Sequence, residues 1–413
     1  MLSLLSLILL WVAVGTVVFG WVARGALIVL WREPMLKHPV LIIESDDWGA
    51  GPPEQAEQLE RIAALLASHL DRTGRKPVMT LGLVLGVANG ARILADGVCR
   101  YHGKLLDAPE SGPVREAIRR GTGTGVFALQ LHGGEHFWPP SLLAAARADQ
   151  QVAAWLRCST APATESLPAA LQSRWIDATE LPSKPLPSDQ IRTAATTEVE
   201  KFLEIFGKAP LVAVPPTFIW NNDVEAAWAE AGVRFVVTPG RRYQARDAHG
   251  ELAAAGPAIV NGDHGAAGIS YLVRDDYFEP ARGHRAERAL AALAVKTRLG
   301  RPTLLETHRA NFLGDRNVVD AAIGELDRLL RLALRSFPDM QFLSTEELAI
   351  GMGRLDPRLI ERRFPARMHV WLRRLWRVSR LRKLACLTGL IIPASLLYVL
   401  TSRGARASES SAG

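Results

Sequence analysis

From about residue 40 to residue 343 the chain alternates short apolar runs with longer amphipathic segments, and this alternation limits its possible folds more than any other feature. Val40–Glu44, Val78–Val84, Val126–Leu131, Leu211–Val214, Arg234–Thr238, Ile269–Val273, Thr303–Glu306 and Met340–Leu343 read as strands, being short, apolar and bounded by turn residues. Glu54–Leu70, Ser188–Phe206, Asp223–Ala231, Ala286–Leu299 and Asn317–Ser336 read as helices; in the last, Val318, Leu326, Leu329 and Leu330 recur at helical spacing. Strand–helix alternation of this length predicts an α/β domain with a mostly parallel sheet, either a barrel or doubly wound. Both architectures gather ligands at the carboxyl ends of their strands. Chemistry is therefore to be sought just past each apolar run. The stretch 159–184, rich in Ala, Pro, Ser and Thr, reads as a surface excursion.

The first run ends in Glu44-Ser45-Asp46-Asp47-Trp48-Gly49. Side chains alternate along an extended chain, so the two adjacent carboxylates can take different jobs, one ligating a metal and the other abstracting a proton. Helix capping at a strand-to-loop corner is the plainer alternative. Two unpaired carboxylates beside a core are costly unless something cationic compensates them. The third run leads into His132-Gly133-Gly134-Glu135-His136, and two histidines four apart after a buried strand form half of a metal site. The same string matches the inverted zinc-peptidase motif, with Glu135 as base. That motif needs a helix; here two glycines, each costing about 1 kcal/mol in a helix, sit inside it, and Pro139-Pro140 follow. Thr303-Leu304-Leu305-Glu306-Thr307-His308 puts a histidine at a further strand end, where it suits a general acid. Two histidines and one carboxylate leave the fourth position of a zinc ion open, the arrangement of a catalytic rather than a structural site.

The chain's termini carry a different signal. Leu2 to Val22 contains no charged residue and is long enough to cross a bilayer. It lacks the basic n-region and small-x-small site of a cleaved signal peptide, which favours an uncleaved anchor over residues 1–31. Leu384 to Leu400 is a second apolar stretch, interrupted by Pro393, that either spans or lies in the interface. Before it, within 354–383, Trp371, Leu372, Leu375 and Trp376 interleave with Arg373, Arg374, Arg377 and Arg380, the pattern of a basic amphipathic helix on an anionic membrane. Residues 401–413 read as a disordered tail. The segment from Arg354 to Lys383 carries a net charge of +9 in a chain whose total is +7, so the basicity is one local patch and a nucleic-acid partner is not indicated. Arg24, Arg32, Lys37 and the basic cluster place the central domain on the cytoplasmic side of a membrane, a bacterial inner membrane being the expectation. Three widely spaced cysteines give neither a disulfide framework nor a Cys-rich zinc site.

In order and spacing, Asp46-Asp47, His132-x-x-x-His136 and Leu305-x-x-His308 resemble the motifs of the polysaccharide deacetylase family, also called the NodB-homology or carbohydrate esterase family 4 domain. The resemblance covers roughly residues 38–352. It implies a distorted (β/α) barrel and a metal-dependent hydrolase that removes N- or O-acyl groups from a glycan or glycolipid. It further implies Asp46 as general base, Asp47, His132 and His136 as ligands of a divalent metal, most simply Zn2+, and His308 as general acid. Where the family carries an Arg before a Pro to buttress its catalytic Asp, this chain reads Val214-Pro215-Pro216-Thr217-Phe218-Ile219-Trp220, and Arg241, Arg242 or Arg309 is the expected substitute. Hydrolysis of another non-peptide C–N bond by the same chemistry, or an inactive glycan-binding or membrane-assembly barrel, are the competing readings. Trp48, Trp138 and Trp220 either stack on a sugar or complete the core. Arg309 is a candidate contact for an anionic substrate group. Asn221 and Asn222 read as caps of the following helix. Anchors at both ends predict an active-site face held near the bilayer, with a lipid-linked sugar as substrate.

Overall fold

The structure, a computed structural model, describes residues 4–158 and 164–406. Residues 159–163 of the expected surface excursion and 407–413 of the expected tail lie outside the described residues; 401–406 continue a helix.

The central strand β1, Val40–Gly49, is buried at all ten positions, as a strand flanked on both sides and covered on both faces must be. The others are β2 (Met79–Val84), β3 (Phe127–Leu131), β4 (Val212–Ala213), β5 (Phe235–Thr238), β6 (Ser270–Val273), β7 (Asp276–Tyr277), β8 (Thr303–His308) and β9 (Gln341–Phe342). They pair in the order β6-β5-β4-β3-β2-β1-β8-β7, with β9 also on β1, and every ladder in this sheet is parallel. The two edge strands β6 and β7 are consecutive in the chain, with only Arg274 and Asp275 between them. The sheet therefore curls around until its edges approach, leaving a seam that no ladder closes among the described residues. This is the distorted α/β barrel that the family resemblance implies, one of the two architectures that the alternation allows. The strand β7, an Asp and a Tyr outside any apolar run, leaves no hydropathy signal.

The covering helices include α1 (Leu4–Arg32), α2 (Gln55–Ala67), α3 (Gly112–Gly123), α4 (Ser188–Phe206), α5 (Asn222–Ala231), α6 (Ala286–Arg298) and α7 (Arg316–Ser336). The helix α7 buries Val319, Ala322, Leu326, Leu329, Leu330 and Ala333, one face of a 3.6-residue period. The side chain of Asn221 accepts from Val224 N and caps α5, as its position suggests. The sequence reading misses α3, whose three glycines dilute the apolar period.

The helix α1 is long and apolar enough to cross a membrane, and only about 12% of its most apolar window is buried. It is joined to the barrel at the amino end of the strands. Gln341 N donates to Pro39 O, Leu36 N to Gly300 O, and Lys37 N to Leu359 O, all around the starts of β1, β8 and β9. Three C-terminal helices gather there: α8 (Phe364–Arg377), α9 (Ser379–Leu387) and α10 (Ile391–Arg406). The segments Ser379–Leu387 and Ile391–Ser402 bend by 115° across Gly389, which has φ +74. Arg374 does not face outward as the amphipathic pattern suggests. It is buried at 3% exposure and donates to the carbonyls of Leu30, Glu33, Pro34, Leu299 and Gly300.

Candidate active site

Asp46 and Asp47 do not diverge as neighbours on a regular strand would. The register of β1 against β2 slips between Ser45 and Trp48, and Asp47 has φ +72. This bulge re-aims the end of the strand. The Asp47 carboxylate Oδ1 lies 3.4 Å from His132 Nε2 and 3.5 Å from His136 Nε2. His136 can return beside His132 because Gly133 turns the chain at φ +111, where a Cβ would come within 2.9 Å of Glu135 O. Residues 132–138 form no helix, and Glu135 is ion-paired with Arg174 at 2.9 Å, so the inverted-peptidase arrangement is absent.

The donor set fits a divalent cation. One atom from each of Asp47, His132 and His136 lies within 4.8 Å of the others, and all three residues are buried. The buried Oδ1 of Asp47 has no hydrogen-bond partner among the described residues. His132 Nδ1 is 3.0 Å from Val214 O; donating there, it leaves Nε2 as the ligating nitrogen. The acceptor behind His132 is thus a backbone carbonyl, not Glu135 or Glu306. Burial drives the pKa of His136 down to about 4, so this ring offers a lone pair at neutral pH. His132 shifts upward: burial opposes the charge, but Asp46 and Asp47 outweigh it, and a bound cation would displace that proton.

The partner of Asp46 is Arg274, a residue that lies in the seam between β6 and β7. Its Nη2 donates to Asp46 Oδ2 at 2.6 Å and its Nη1 to Glu44 Oε2 at 2.8 Å, while Nε lies 3.4 Å from Glu306 Oε2. The expected substitutes lie elsewhere. Arg242 pairs with Glu225, Arg309 with Glu165, and Arg241 contributes only its carbonyl, to Thr238 Oγ1. The sequence marks Arg274-Asp275-Asp276-Tyr277 only as a candidate counterpart of the family's fourth motif; no spacing signal pairs Arg274 with Asp46, because the seam comes to face β1 only when the sheet curls. Burial would raise the Asp46 pKa, but Arg274 and the nearby His132 and His308 hold it below the ordinary carboxylate value. Glu44 and Glu306 go the other way, since for them burial exceeds the help of the shared guanidinium. Gly82 on β2 makes room for this carboxylate: a Cβ there would stand 2.2 Å from Asp46 Oδ1.

His308 is the register partner of Asp46 across the β1–β8 ladder. Its Nδ1 is 2.7 Å from Glu279 Oε1, and the other oxygen of Glu279 accepts from Asn311 Nδ2 at 2.6 Å. Burial works against its charge, yet the Glu279 hydrogen bond and the carboxylates of Asp47, Glu306 and Asp46 raise its pKa to about 10. The imidazole therefore carries a proton at neutral pH, with a side chain 30% exposed.

The aromatic candidates divide. Trp48 is fully buried, donates to Ser45 Oγ at 2.8 Å and stacks near Phe312; Trp220 is buried and donates to Glu225. Neither has a free face for a sugar, and both belong to the core. Trp138 is partly exposed beside Arg174, whose guanidinium lies 5.6 Å from its ring centre. Arg309 is 1% exposed and its Nε and Nη2 lie 3.0 and 3.2 Å from the two oxygens of Glu165, so it clamps that loop instead of offering a free cation.

No protein-family model and no curated protein matches the chain. Solved structures do overlap it. A 4-alpha-glucanotransferase from Thermococcus litoralis is 9% identical over 75% of this chain, with a TM-score of 0.39; the chain spans 40% of that enzyme's length. The peptidoglycan deacetylase PdaC from Bacillus subtilis is 11% identical, with 77% of this chain and 93% of that one covered and a TM-score of 0.36. A family 4 carbohydrate esterase from Streptomyces lividans is 8% identical, with coverage of 74% and 91% and a TM-score of 0.31. Overlaps this loose fix no activity, and the site is defined by its own residues.

Proposed function

We propose that the protein is a metal-dependent deacetylase-like hydrolase that removes an N- or O-acyl group from a glycan. The observation that carries this reading is the meeting of three groups at one end of the barrel. They are a buried Asp-His-His cradle, an Asp held ionised by Arg274, and a protonated histidine across the ladder. The glycan itself is proposed from the motif order of Asp46-Asp47, His132-x-x-x-His136 and Leu305-x-x-His308.

Asp47, His132 and His136 would hold the cation, for which Zn2+ is the simplest choice given two imidazoles and one carboxylate. When bound there, a divalent ion supplies Lewis acidity toward a carbonyl oxygen and toward water. Asp46 takes the proton from the attacking water, and Arg274 keeps it in the carboxylate form that the step requires. His308 gives its proton to the departing nitrogen or oxygen, with Glu279 holding the ring through Nδ1 and leaving Nε2, 3.6 Å from Glu306 Oε1, as the nitrogen that donates. The absence of the family's Arg before Pro favoured an inactive barrel; Arg274 supplies the same charge from another strand end.

Metal content and turnover test the reading together. Wild type loaded with Zn2+ should hold one equivalent, and His132→Ala and Asp47→Ala should hold none. Asp46→Asn should keep the metal but lose turnover of acetylated chitooligosaccharides. A protein that binds no divalent metal under any loading condition would sink the mechanism. Turnover of simple formamides but of no acylated sugar would move the substrate to another C–N bond.

A further inference from the structure

The chemistry and the apolar helices occupy opposite ends of the barrel. β1 starts at Val40, where the chain arrives from α1, and reaches the site only at Asp46 and Asp47. β8 likewise starts beside Arg301, which is paired through two 2.7 Å contacts with Glu33 at the foot of α1, and ends at His308. The junction is stiff. Glu33 is buried and also meets Arg374 at 3.3 Å, Trp371 Nε1 donates to Leu27 O, and Trp31 packs against Phe364 and Trp371. At Gly15, halfway along α1, a Cβ would come within 2.9 Å of Thr388 at the bend between α9 and α10, so the bent C-terminal pair packs close against the same helix.

The apolar residues exposed on this assembly include Val17, Trp21, Leu387 and Ile392, each at least 72% exposed. Arg377, Arg380, Arg382 and Lys383 form an exposed basic cluster at the start of the bent pair, and Arg24 is the first exposed charge on α1. Exposed apolar surface bordered by a basic band matches a bilayer with anionic headgroups. With the headgroup plane at that band, Arg24 to Arg32 rises about 12 Å along α1. From Val40 to Asp47, β1 adds roughly 20 Å once strand tilt is allowed for.

We infer that the catalytic mouth faces away from the membrane, on the order of 30 Å from the headgroups, and therefore acts on a glycan segment presented from the aqueous side instead of on the sugar attached directly to a lipid. This rests on the deacetylase reading for its chemistry and on the apolar assembly for its membrane. It is the opposite of the expectation that anchors at both ends hold the active-site face near the bilayer, and the two are separated by the measurements below.

Two measurements on the full-length chain in nanodiscs decide it. With Cys99, Cys158 and Cys386 replaced by Ser, a dye is placed on Glu54→Cys, at the carboxyl end of β1, or on Lys37→Cys, at its amino end; both positions are exposed. Energy transfer to headgroup-labelled lipid should be several-fold weaker from position 54 than from 37. Equal or stronger transfer from 54 overturns the inference, whatever the enzyme's activity. In parallel, acetylated chitooligosaccharide in solution should be turned over, while a single acetylated sugar on a short lipid tether in the same disc should not, its turnover returning when the disc is dissolved in detergent. Equal turnover of both in the intact disc overturns the inference. Turnover of neither, even in detergent, counts against the deacetylase reading, and the transfer ratio still decides the orientation.

Discussion

Arg274 and Asp46 stand 228 residues apart in the chain and 2.6 Å apart in space, joined across the interior of the curled sheet. The guanidinium is 1% exposed and meets three carboxylates, those of Asp46, Glu44 and Glu306. Removing it leaves buried negative charge without a counter-ion. Arg274→Gln should destabilise the fold by about 3–5 kcal/mol, the usual cost of stripping one member from a buried ion-pair network. It should also cost roughly 100-fold or more in kcat/KM, since without the guanidinium burial pushes the Asp46 pKa up and depletes the carboxylate form that takes the proton. Urea unfolding beside acyl-release kinetics checks both, and a stable, fully active variant would show that Arg274 has no part in setting the base.

Gly82 gives a separate handle on the same carboxylate. A Cβ at this position would overlap Asp46 Oδ1 at 2.2 Å, and β2 cannot retreat because it is paired on both sides, with β1 and β3. Gly82→Ala should therefore push the carboxylate off its place at an overpacking cost of about 1–3 kcal/mol. Metal content should stay at the wild-type level while kcat falls, because Asp47, His132 and His136 are not touched. A parallel loss of metal would show that the displacement spreads through the bulge to Asp47.

These two residues also mark the limit of what the sequence carries. Apolar runs bounded by turn residues disclose the long strands, because burial on both faces leaves a continuous hydropathy signal, and the polar residues just past Val40–Ile43 and Val126–Leu131 disclose Asp46, Asp47, His132 and His136. Arg274 also stands just past an apolar run, Ile269–Val273, but its partner is not legible, because the seam comes to face β1 only through the closure of the sheet. Trp48 and Trp220 stay undecided in the sequence between sugar platform and core, since proximity to a motif says nothing of which way a ring turns. Both rings turn into the core.

The pH dependence of turnover should reveal Glu279 acting on His308. With His308 as the proposed acid, activity should be present while it holds its proton and be lost as pH rises through its pKa, raised to about 10 in the folded protein. The same shift adds stability that is fully present below the ordinary histidine value of about 6.5 and is lost as pH climbs through about 10. Glu279→Gln replaces the anionic acceptor by a neutral one. The alkaline limb of kcat/KM should then move to lower pH by about a unit or more, each unit being ~1.4 kcal/mol of lost interaction. An unchanged limb, with kcat merely scaled down, would mean that Glu279 positions the ring without setting its charge.

The clamp between α1 and the barrel predicts a stability effect far from the site. Arg374 satisfies carbonyls at two helix ends at once, those of Leu30, Glu33 and Pro34 after α1 and those of Leu299 and Gly300 after α6, and it faces the buried carboxylate of Glu33. A lysine keeps the charge but not the planar fork that reaches these acceptors together. Arg374→Lys should leave Glu33 with its bidentate partner Arg301 yet strand several carbonyls, each unmet buried group costing about 1–3 kcal/mol. Because Arg374 lies at the amino end of the strands, kcat/KM on a soluble substrate should hardly change. Proteolysis of the 33–39 connector in detergent should quicken instead, as the helix loosens from the barrel. Protection equal to wild type would show that Glu33 and Arg301 alone fix α1 to the barrel, whereas a fall in kcat/KM without faster cleavage would place Arg374 in communication with the site.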